Sequence, residues 1–188
     1  MRKLKTVACL ARWPGLLVLE ELLENPRIDL QAVYSHEKLP KAEGGGPRPE
    51  TYHFFKAVEN RCPLFFHDDG TPPRMTGDLL ISLSWRYKFP EEYLSTFPHS
   101  INIHRGALPK YAGAKPVERA LKNQDRRIAI TAHKIVEEID AGDTIAVVYS
   151  PIPEQKHSHS TEEHAEVAKE YLYPLYAPLA RLAINTIR

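Results

Sequence analysis

The chain has 188 residues, of which 43% are apolar and 26% are charged, and its formal net charge at pH 7 is +1. These values are ordinary for a globular protein and exclude a disordered chain and a coiled coil. The near-neutral charge gives no broad footprint for a nucleic acid or a membrane surface, and no apolar run approaches the roughly 20 residues that cross a bilayer. We therefore expect a single domain over residues 1–188, without a nucleic-acid or membrane partner.

The predicted helices and strands alternate along the chain, and many of the 16 prolines separate them. In the first half we predict strands at 7–10, 30–34, 64–66 and 79–83, a turn at 11–15, helices at 16–24 and 51–60 (the second capped by Thr51), and a loop at 37–50. In the second half we predict helices at 90–97, at 115–122 and from 161 onward, strands at 100–104, 128–135 and 144–149, and a turn at 140–143. Thr161, Glu163 and His164 lie near the expected cap of the last helix, which Pro174 and Pro178 must break or kink.

The alternation of strand and helix predicts an α/β fold with a mainly parallel twisted sheet flanked by helices. The two late strands, joined by a short turn, predict a short antiparallel extension. The two cysteines, Cys9 and Cys62, lie too far apart to suggest a disulfide framework or a zinc site. We expect buried thiols in a reducing, cytoplasmic setting, and no metal.

Polar side chains gather where a parallel sheet binds ligands, beyond the carboxyl ends of its strands. Asn102 and His104 lie two residues apart on one strand and so project to the same side of the sheet. His133 ends another strand, and Asp140 and Asp143 lie in the turn that follows it. An amide that donates to an oxyanion, an imidazole that moves a proton and a carboxylate that orients it are the components of acyl transfer. Because no side chain is an obvious covalent nucleophile, the substrate is expected to bring its own.

The run from Asn102 to Gly113, Asn-Ile-His-Arg-Gly-Ala-Leu-Pro-Lys-Tyr-Ala-Gly, resembles the signature of the folate-dependent formyltransferases. That signature is Asn-x-His followed by Leu-Pro-x-Tyr-x-Gly. Thr131-Ala132-His133 and the run 139–143 follow with the family's order and spacing. The family includes glycinamide ribonucleotide formyltransferase, methionyl-tRNA formyltransferase and the sugar N-formyltransferases, and it implies a Rossmann-like α/β fold.

The resemblance also implies site residues and a co-substrate, 10-formyltetrahydrofolate. It implies a catalytic trio of Asn102, His104 and Asp140, and leaves Asp143 a structural role. The residues that it implies for the donor are Trp85, Arg86, Tyr87, Lys88, Val136, Ile139 and Asp140. The residues that we assign to the acceptor are Arg12, Trp13, Tyr111 and His133, of which His133 is alternatively a core histidine.

The implied mechanism is direct attack of an amine on the formyl carbon. Asn102 and protonated His104 would stabilise the tetrahedral oxyanion. Asp140 would hold the charge on His104 and position a water that relays the proton of the amine to the folate nitrogen.

The sequence leaves the acceptor open. Residues 11–15 lack the glycines of the phosphate loop in glycinamide ribonucleotide enzymes, although Arg12 offers a charge. From the resemblance we expect the chain to end about where the tRNA-binding domain of methionyl-tRNA enzymes would begin. Gly106 and Ala112 stand where relatives often have Ser and Arg. We predict transfer to an amine, with a nucleotide-linked amino sugar as one candidate. The alternatives are glycinamide ribonucleotide, hydrolysis of the formyl donor by water, and a folate-binding module without turnover.

Three further features have simpler interpretations. The histidines at 157, 159 and 164 match no strong metal-ligand spacing, so a solvated loop leading into a helix is expected. The glycines at 44–46 are followed by prolines and predict a mobile loop rather than a phosphate cradle. Tyr171, Tyr173 and Tyr176 are predicted to pack against the fold, with a homodimer contact as the alternative.

Overall fold

The computed structural model describes residues 2–39, 44–72, 74–155, 158 and 160–187. The chain divides into two compact units, Met1–Asn102 and Ile103–Arg188. A single catalytic domain over the whole chain stays a prediction.

The first unit is a parallel sheet with helical crossovers. Its elements are β1 (Leu4–Leu10), α1 (Arg12–Glu24), β2 (Ile28–Ser35), α2 (Thr51–Val58), β3 (Leu64–Phe66), β4 (Leu79–Leu83), α3 (Glu91–Leu94) and most of β5 (His99–His104). The strand order is β3-β2-β1-β4-β5, and each neighbouring pair is parallel. Because strands β1 and β4 are apolar on both faces, they fit the middle of such a sheet, and residues 7–10 and 79–81 are fully buried.

The second unit combines an antiparallel strand pair with three helices. Its elements after β5 are α4 (Pro116–Lys122), β6 (Arg127–Lys134), β7 (Thr144–Pro151), α5 (Thr161–Glu170) and α6 (Tyr173–Asn185). Strands β6 and β7 pair antiparallel, with Ile130 opposite Val148. Helix α6 packs on both strands and buries Tyr176 and Leu179 completely or nearly so. The predicted α/β, Rossmann-like fold with a mainly parallel sheet and an antiparallel extension is confirmed.

Two of the local predictions at helix starts were wrong. Residues 12–15, predicted as a turn, belong to helix α1, which begins at Arg12 with a φ of 64°. Thr51 does not cap helix α2, since Glu50 precedes the helix without a side-chain cap and the Thr51 hydroxyl is buried without a hydrogen-bond partner.

Helix α5 begins at Thr161, as predicted. Ser160 caps the helix, and its hydroxyl accepts from the Glu163 N–H at 3.2 Å while the Glu163 carboxylate accepts from the Ser160 N–H at 2.7 Å. Two of the N–H donors that a bare helix end would leave without partners are thus satisfied. Pro174 lies in the first turn of α6, which tolerates it, and Pro178 lies inside that helix.

The remaining sequence predictions have mixed outcomes. Tyr176 is buried as predicted, whereas Tyr171 is 51% exposed and does not pack. Cys9 is a buried free thiol, and Cys62 is only partly buried. Residues 40–43 of the predicted loop, and the histidines at 157 and 159, lie outside the described residues. No helix in the described part of the chain is long and apolar enough to cross a membrane.

Candidate active site

An imidazole and a carboxylate are paired in the second unit. His104 ends strand β5, and its Nδ1 lies 3.1 Å from Oδ2 of Asp140. Both side chains are close to buried, at 10% and 8% exposure, so water screens their interaction weakly. The predicted proximity of these two residues, which are far apart in sequence, is thus found in the structure.

Backbone geometry fixes the Asp140 carboxylate. Asp140 has a φ of 57°, a left-handed conformation that Asp tolerates better than most residues. Its Oδ2 accepts a hydrogen bond from the Gly113 N–H at 2.8 Å. Two residues later, a Cβ on Gly142 would overlap the Lys134 carbonyl oxygen, so this close turn requires glycine.

His133 faces the same carboxylate from strand β6. Its side chain is 3% exposed, and its Nε2 lies 3.5 Å from Oδ1 of Asp140. Its Nδ1 donates to the Lys134 carbonyl at 2.8 Å. The two interpretations of His133 are therefore compatible, because the ring is buried and also borders the carboxylate of the site.

Competing effects act on the pKa values of this cluster. Burial lowers the pKa of His104, and the negative charge of Asp140 and the Tyr111 carbonyl oppose that shift without cancelling it. Burial alone would raise the pKa of Asp140, but the contacts with His133, His104 and the Gly113 N–H outweigh it and hold the pKa below its usual value. Asp140 is therefore ionised at neutral pH.

The loop that follows β5 binds the other ring nitrogen of His104. The Nε2 of His104 donates to the Tyr111 carbonyl of this loop at 2.8 Å. The loop is fixed at its other end by Thr131, whose hydroxyl donates to the Gly106 carbonyl at 2.7 Å. A Cβ on Gly106 would lie 2.8 Å from His104 Nε2 and 2.9 Å from the Tyr111 oxygen, so the close packing at the ring requires glycine.

Asn102 precedes His104 by two residues on β5. It is half-buried and lies opposite Ser82 of β4 in the parallel register. The alternation of side chains along a strand directs Asn102 and His104 to the same side.

The predicted donor residues at 85–88 lie in a cluster of rings in the first unit. Trp85 stacks on His36 with centroids 4.2 Å apart, and the Tyr87 hydroxyl donates to the Asp68 carbonyl. The Arg86 guanidinium donates to the Lys38 carbonyl and lies 3.4 Å from Oδ1 of Asp68. The indole N–H of Trp85 is buried and lacks a hydrogen-bond partner within the described structure.

The sequence did not single out His36, which organises this cluster. Its ring is 1% exposed, its Nδ1 donates to the His67 carbonyl at 2.7 Å and its Nε2 accepts from the Arg86 N–H at 3.4 Å. Burial, together with the positive charge of Arg86, lowers its pKa to about 4. Only its place at the end of β2 could have indicated it.

The other predicted site residues differ in their accessibility. Val136 and Ile139 are 42% and 57% exposed, which is unusual for branched apolar side chains on one loop. Trp13 is 40% exposed with its ring 4.9 Å from that of His53. Tyr111 is buried, and its hydroxyl donates to Asp125 at 2.7 Å.

Arg12 and Lys88 complete the predicted set. Arg12 is half-buried at the start of α1, and the Lys88 carbonyl accepts from the Thr71 hydroxyl at 3.0 Å. No group of three or more metal-ligating side chains suited to an ion occurs among the residues that the structure describes.

Comparisons with known proteins identify the family of the chain. The family described as Formyl transferase matches residues 74–175, more than half of the chain. A methionyl-tRNA formyltransferase of Streptococcus equi subsp. zooepidemicus is 29% identical over 149 residues, which are 72% of this chain and 45% of that protein. The chain thus spans less than half the length of this curated relative.

Solved structures share the fold at low identity. Glycinamide ribonucleotide transformylase 1 from Geobacillus kaustophilus superposes with a TM-score of 0.70 at 15% identity, covering 98% of both chains. A formyltetrahydrofolate deformylase from Pseudomonas syringae pv. tomato gives 0.63 at 22% identity, covering 97% of this chain and 62% of that one. These structures show the shared fold, and the family match over residues 74–175 shows that the chain belongs to the formyl transferase family.

Proposed function

We propose that this protein transfers the formyl group of 10-formyltetrahydrofolate to an acceptor amine. The observation that carries the proposal is the His104–Asp140 pair, in which a buried carboxylate lies 3.1 Å from an imidazole at the end of a strand. This pair lies in the stretch that matches the family. The proposal assigns catalysis to Asn102, His104 and Asp140.

In this proposal, each member of the trio has a separate task. The side-chain amide of Asn102 donates to the formyl oxygen as negative charge develops on it. Donors of this kind are typically worth about 3–4 kcal/mol in the transition state. Substitution of Asn102 by Ala is therefore expected to lower kcat by roughly a hundredfold or more.

His104 is proposed to stabilise the oxyanion together with Asn102. Its two ring nitrogens face acceptors, the Tyr111 carbonyl at 2.8 Å and Oδ2 of Asp140 at 3.1 Å, and the imidazolium is the form that offers a proton to each. The ionised Asp140 stabilises this positive charge. The amine forms a bond to the formyl carbon, the bond between that carbon and the folate nitrogen breaks, and a water beside Asp140 relays the proton of the amine to that nitrogen.

The chain offers residues suited to a folate ring in each unit. In the first unit, the Trp85 indole N–H is buried without a partner, which is a group that a ligand acceptor could satisfy. In the second unit, Val136 and Ile139 expose apolar surface that a flat ring could cover. We propose that these residues, with Arg86, Tyr87, Lys88 and Asp140, contact the donor.

The acceptor is proposed as an amine on a nucleotide-linked sugar, with Arg12, Trp13, Tyr111 and His133 as contacts. The start of α1 offers few donors to a ribonucleotide phosphate, because Pro14 in its first turn has no N–H and the Ala11 N–H donates to the Leu83 carbonyl at 3.1 Å. Methionyl-tRNA, the acceptor in the name of the curated relative, is the main competitor.

A panel of acceptors tests the proposal. The protein is incubated with 10-formyltetrahydrofolate and, separately, a nucleotide-linked amino sugar, glycinamide ribonucleotide, methionyl-tRNA or water alone, and formyl product is measured by mass spectrometry. The proposal expects product with an amine and its loss in Asn102→Ala. Turnover with water alone would instead indicate a hydrolase, and saturable donor binding without any turnover would indicate a folate-binding module.

A further inference from the structure

A cavity of about 390 Å³ lies within the second unit, and neither His104 nor Asp140 lines it. Its walls come from residues 105–111 after β5, from helix α4, from residues 125–129 at the start of β6 and from Tyr149 on β7. This volume falls in the range of small-molecule sites, roughly 300–1,000 Å³.

The cavity is rich in positive charge. The charged side chains that line it are four cations and one carboxylate, namely Arg105, Lys110, Arg126, Arg127 and Asp125. The carboxylate is already engaged, because Lys110 donates to both of its oxygens at 2.9 Å and the Tyr111 hydroxyl donates at 2.7 Å. The positive charge at the cavity is therefore in excess.

Two of the arginines carry that excess. Within the described residues, no carboxylate lies at ion-pair distance from Arg126 or Arg127, and both are exposed. The Arg127 guanidinium lies 4.7 Å from the centroid of the Tyr149 ring, which restricts its orientation. A planar guanidinium held in this way presents a fork of N–H donors to a ligand.

The remaining wall is apolar. Tyr149 of strand β7 lines the cavity and is 47% exposed, and Ala107 and Pro116 line it half-buried, so these side chains present apolar surface to it. A fully hydrated anion such as free sulfate would gain little from this wall. A ligand that joins a phosphate to an organic group would use both the cations and the apolar surface.

We propose that this cavity is a binding site for an organic phosphate, separate from the catalytic trio. The phosphate is bound by Arg126 and Arg127, and the organic part contacts the apolar wall of Ala107, Pro116 and Tyr149. The proposal goes beyond formyl transfer and does not require it.

The cavity is linked to the catalytic imidazole through one residue. The Tyr111 hydroxyl is held by Asp125 inside the cavity, while its backbone carbonyl accepts from His104 Nε2 at 2.8 Å. A phosphate bound here attracts Lys110 and competes with Asp125 for it. Occupancy of the cavity is therefore expected to shift the environment of the His104 ring.

Calorimetric titration tests the site directly. The probes are inorganic phosphate, adenosine 5′-monophosphate and glucose 6-phosphate, and the proteins are the wild type, Arg126→Gln/Arg127→Gln and the control Lys122→Gln. Lys122 is an exposed cation at the end of α4 that does not line the cavity. We expect saturable binding of at least one organic phosphate, weakened about tenfold or more in the double variant and unchanged in the control. The preferred probe then tells whether a nucleoside or a sugar carries the phosphate.

Three results would overturn the proposal. The first is no saturable binding of any probe at millimolar concentration. The second is equal affinity for inorganic and organic phosphates, which would remove the role of the apolar wall. The third is binding that survives in the double variant but disappears in His104→Ala, because the ligand would then lie at the catalytic trio. Each readout is independent of whether formyl transfer occurs.

Discussion

Asp140→Asn removes one negative charge from the active site and almost nothing else. The amide oxygen of Asn can still accept from the Gly113 N–H, which donates to Asp140 at 2.8 Å, so the turn is expected to persist. The weakened interactions are those with His104 at 3.1 Å and with His133 at 3.5 Å, and the carboxylate is only 8% exposed. This substitution therefore tests the charge that stabilises the imidazolium.

The size of the effect follows from the contact with His104. A hydrogen bond to a charged group is worth about 1.5–3 kcal/mol, and burial of the pair limits screening by water. Because about 1.4 kcal/mol corresponds to a factor of ten in rate, kcat is expected to fall by roughly 10- to 150-fold. The pKa of His104 is expected to fall further, since the carboxylate opposes its lowering by burial.

Steady-state formyl transfer over a range of pH measures this effect. Asp143→Asn is the matched control, because it removes the same charge from the same turn at a side chain that is 85% exposed. We expect the control to keep its kcat. An Asp140→Asn protein with the kcat of the wild type would refute the assigned role of the carboxylate.

The same carboxylate affects stability in acid. Because the folded protein lowers the pKa of Asp140, its stabilising contribution is complete above the unfolded value of about 3.9 and is lost as the pH falls through the folded value. Chemical denaturation of the wild type should therefore show a loss of stability below about pH 4 that is smaller in Asp140→Asn. Identical acid profiles would contradict the lowered pKa.

Three further predictions concern packing, capping and a buried histidine. Gly106→Ala places a Cβ 2.8 Å from His104 Nε2 and should cost about 1–3 kcal/mol of stability together with a fall in kcat, measured by thermal unfolding and formyl transfer. Ser160→Ala should cost about 1 kcal/mol in denaturant unfolding, because it removes the cap of α5. His36, with a pKa of about 4 against about 6.5 unfolded, should lower the free energy of unfolding by about 3 kcal/mol as the pH falls from about 6.5 to 4.

Each of these predictions has a control in the same chain. Gly46→Ala adds a Cβ with nothing within 4 Å and should be neutral. Thr161→Ala changes the residue after the cap and should leave stability within about 0.5 kcal/mol. Substitution of His36 by Gln should flatten the pH dependence, whereas substitution of exposed His53 by Gln should not. If the control variant of any pair showed the effect and the test variant did not, the residue assigned to that effect would be wrong.

Much of the fold was predictable from the sequence, because its strands are apolar runs and because prolines lie at or near several helix ends. The strands at 7–10, 79–83 and 128–135 were predicted to within a few residues, since burial on both faces leaves a continuous apolar signature. The start of α1 was missed because Trp13-Pro14-Gly15 has the composition of a turn. Its helical backbone shows that packing against the sheet overrides that local preference.

The sequence indicates which side chains belong to the candidate site, but it does not indicate which main-chain groups bind them. Asn102, His104 and Asp140 carry side chains whose chemistry shows in the letters of the sequence. The Gly113 N–H and the Tyr111 carbonyl, which hold Asp140 and His104, belong to the main chain that every residue shares. These main-chain groups reach Asp140 and His104 only because of the path of the loop. The motif shows where the loop lies in the sequence but not which path it follows.

The most direct test of the central claim is a calorimetric titration of the protein with a non-hydrolysable analogue of 10-formyltetrahydrofolate. The account predicts saturable binding in the micromolar range or tighter. It also predicts that the heat of binding changes in Asp140→Asn and stays the same in Asp143→Asn. No binding at high concentration of the analogue would contradict the account, because the His104–Asp140 pair would then serve a different ligand.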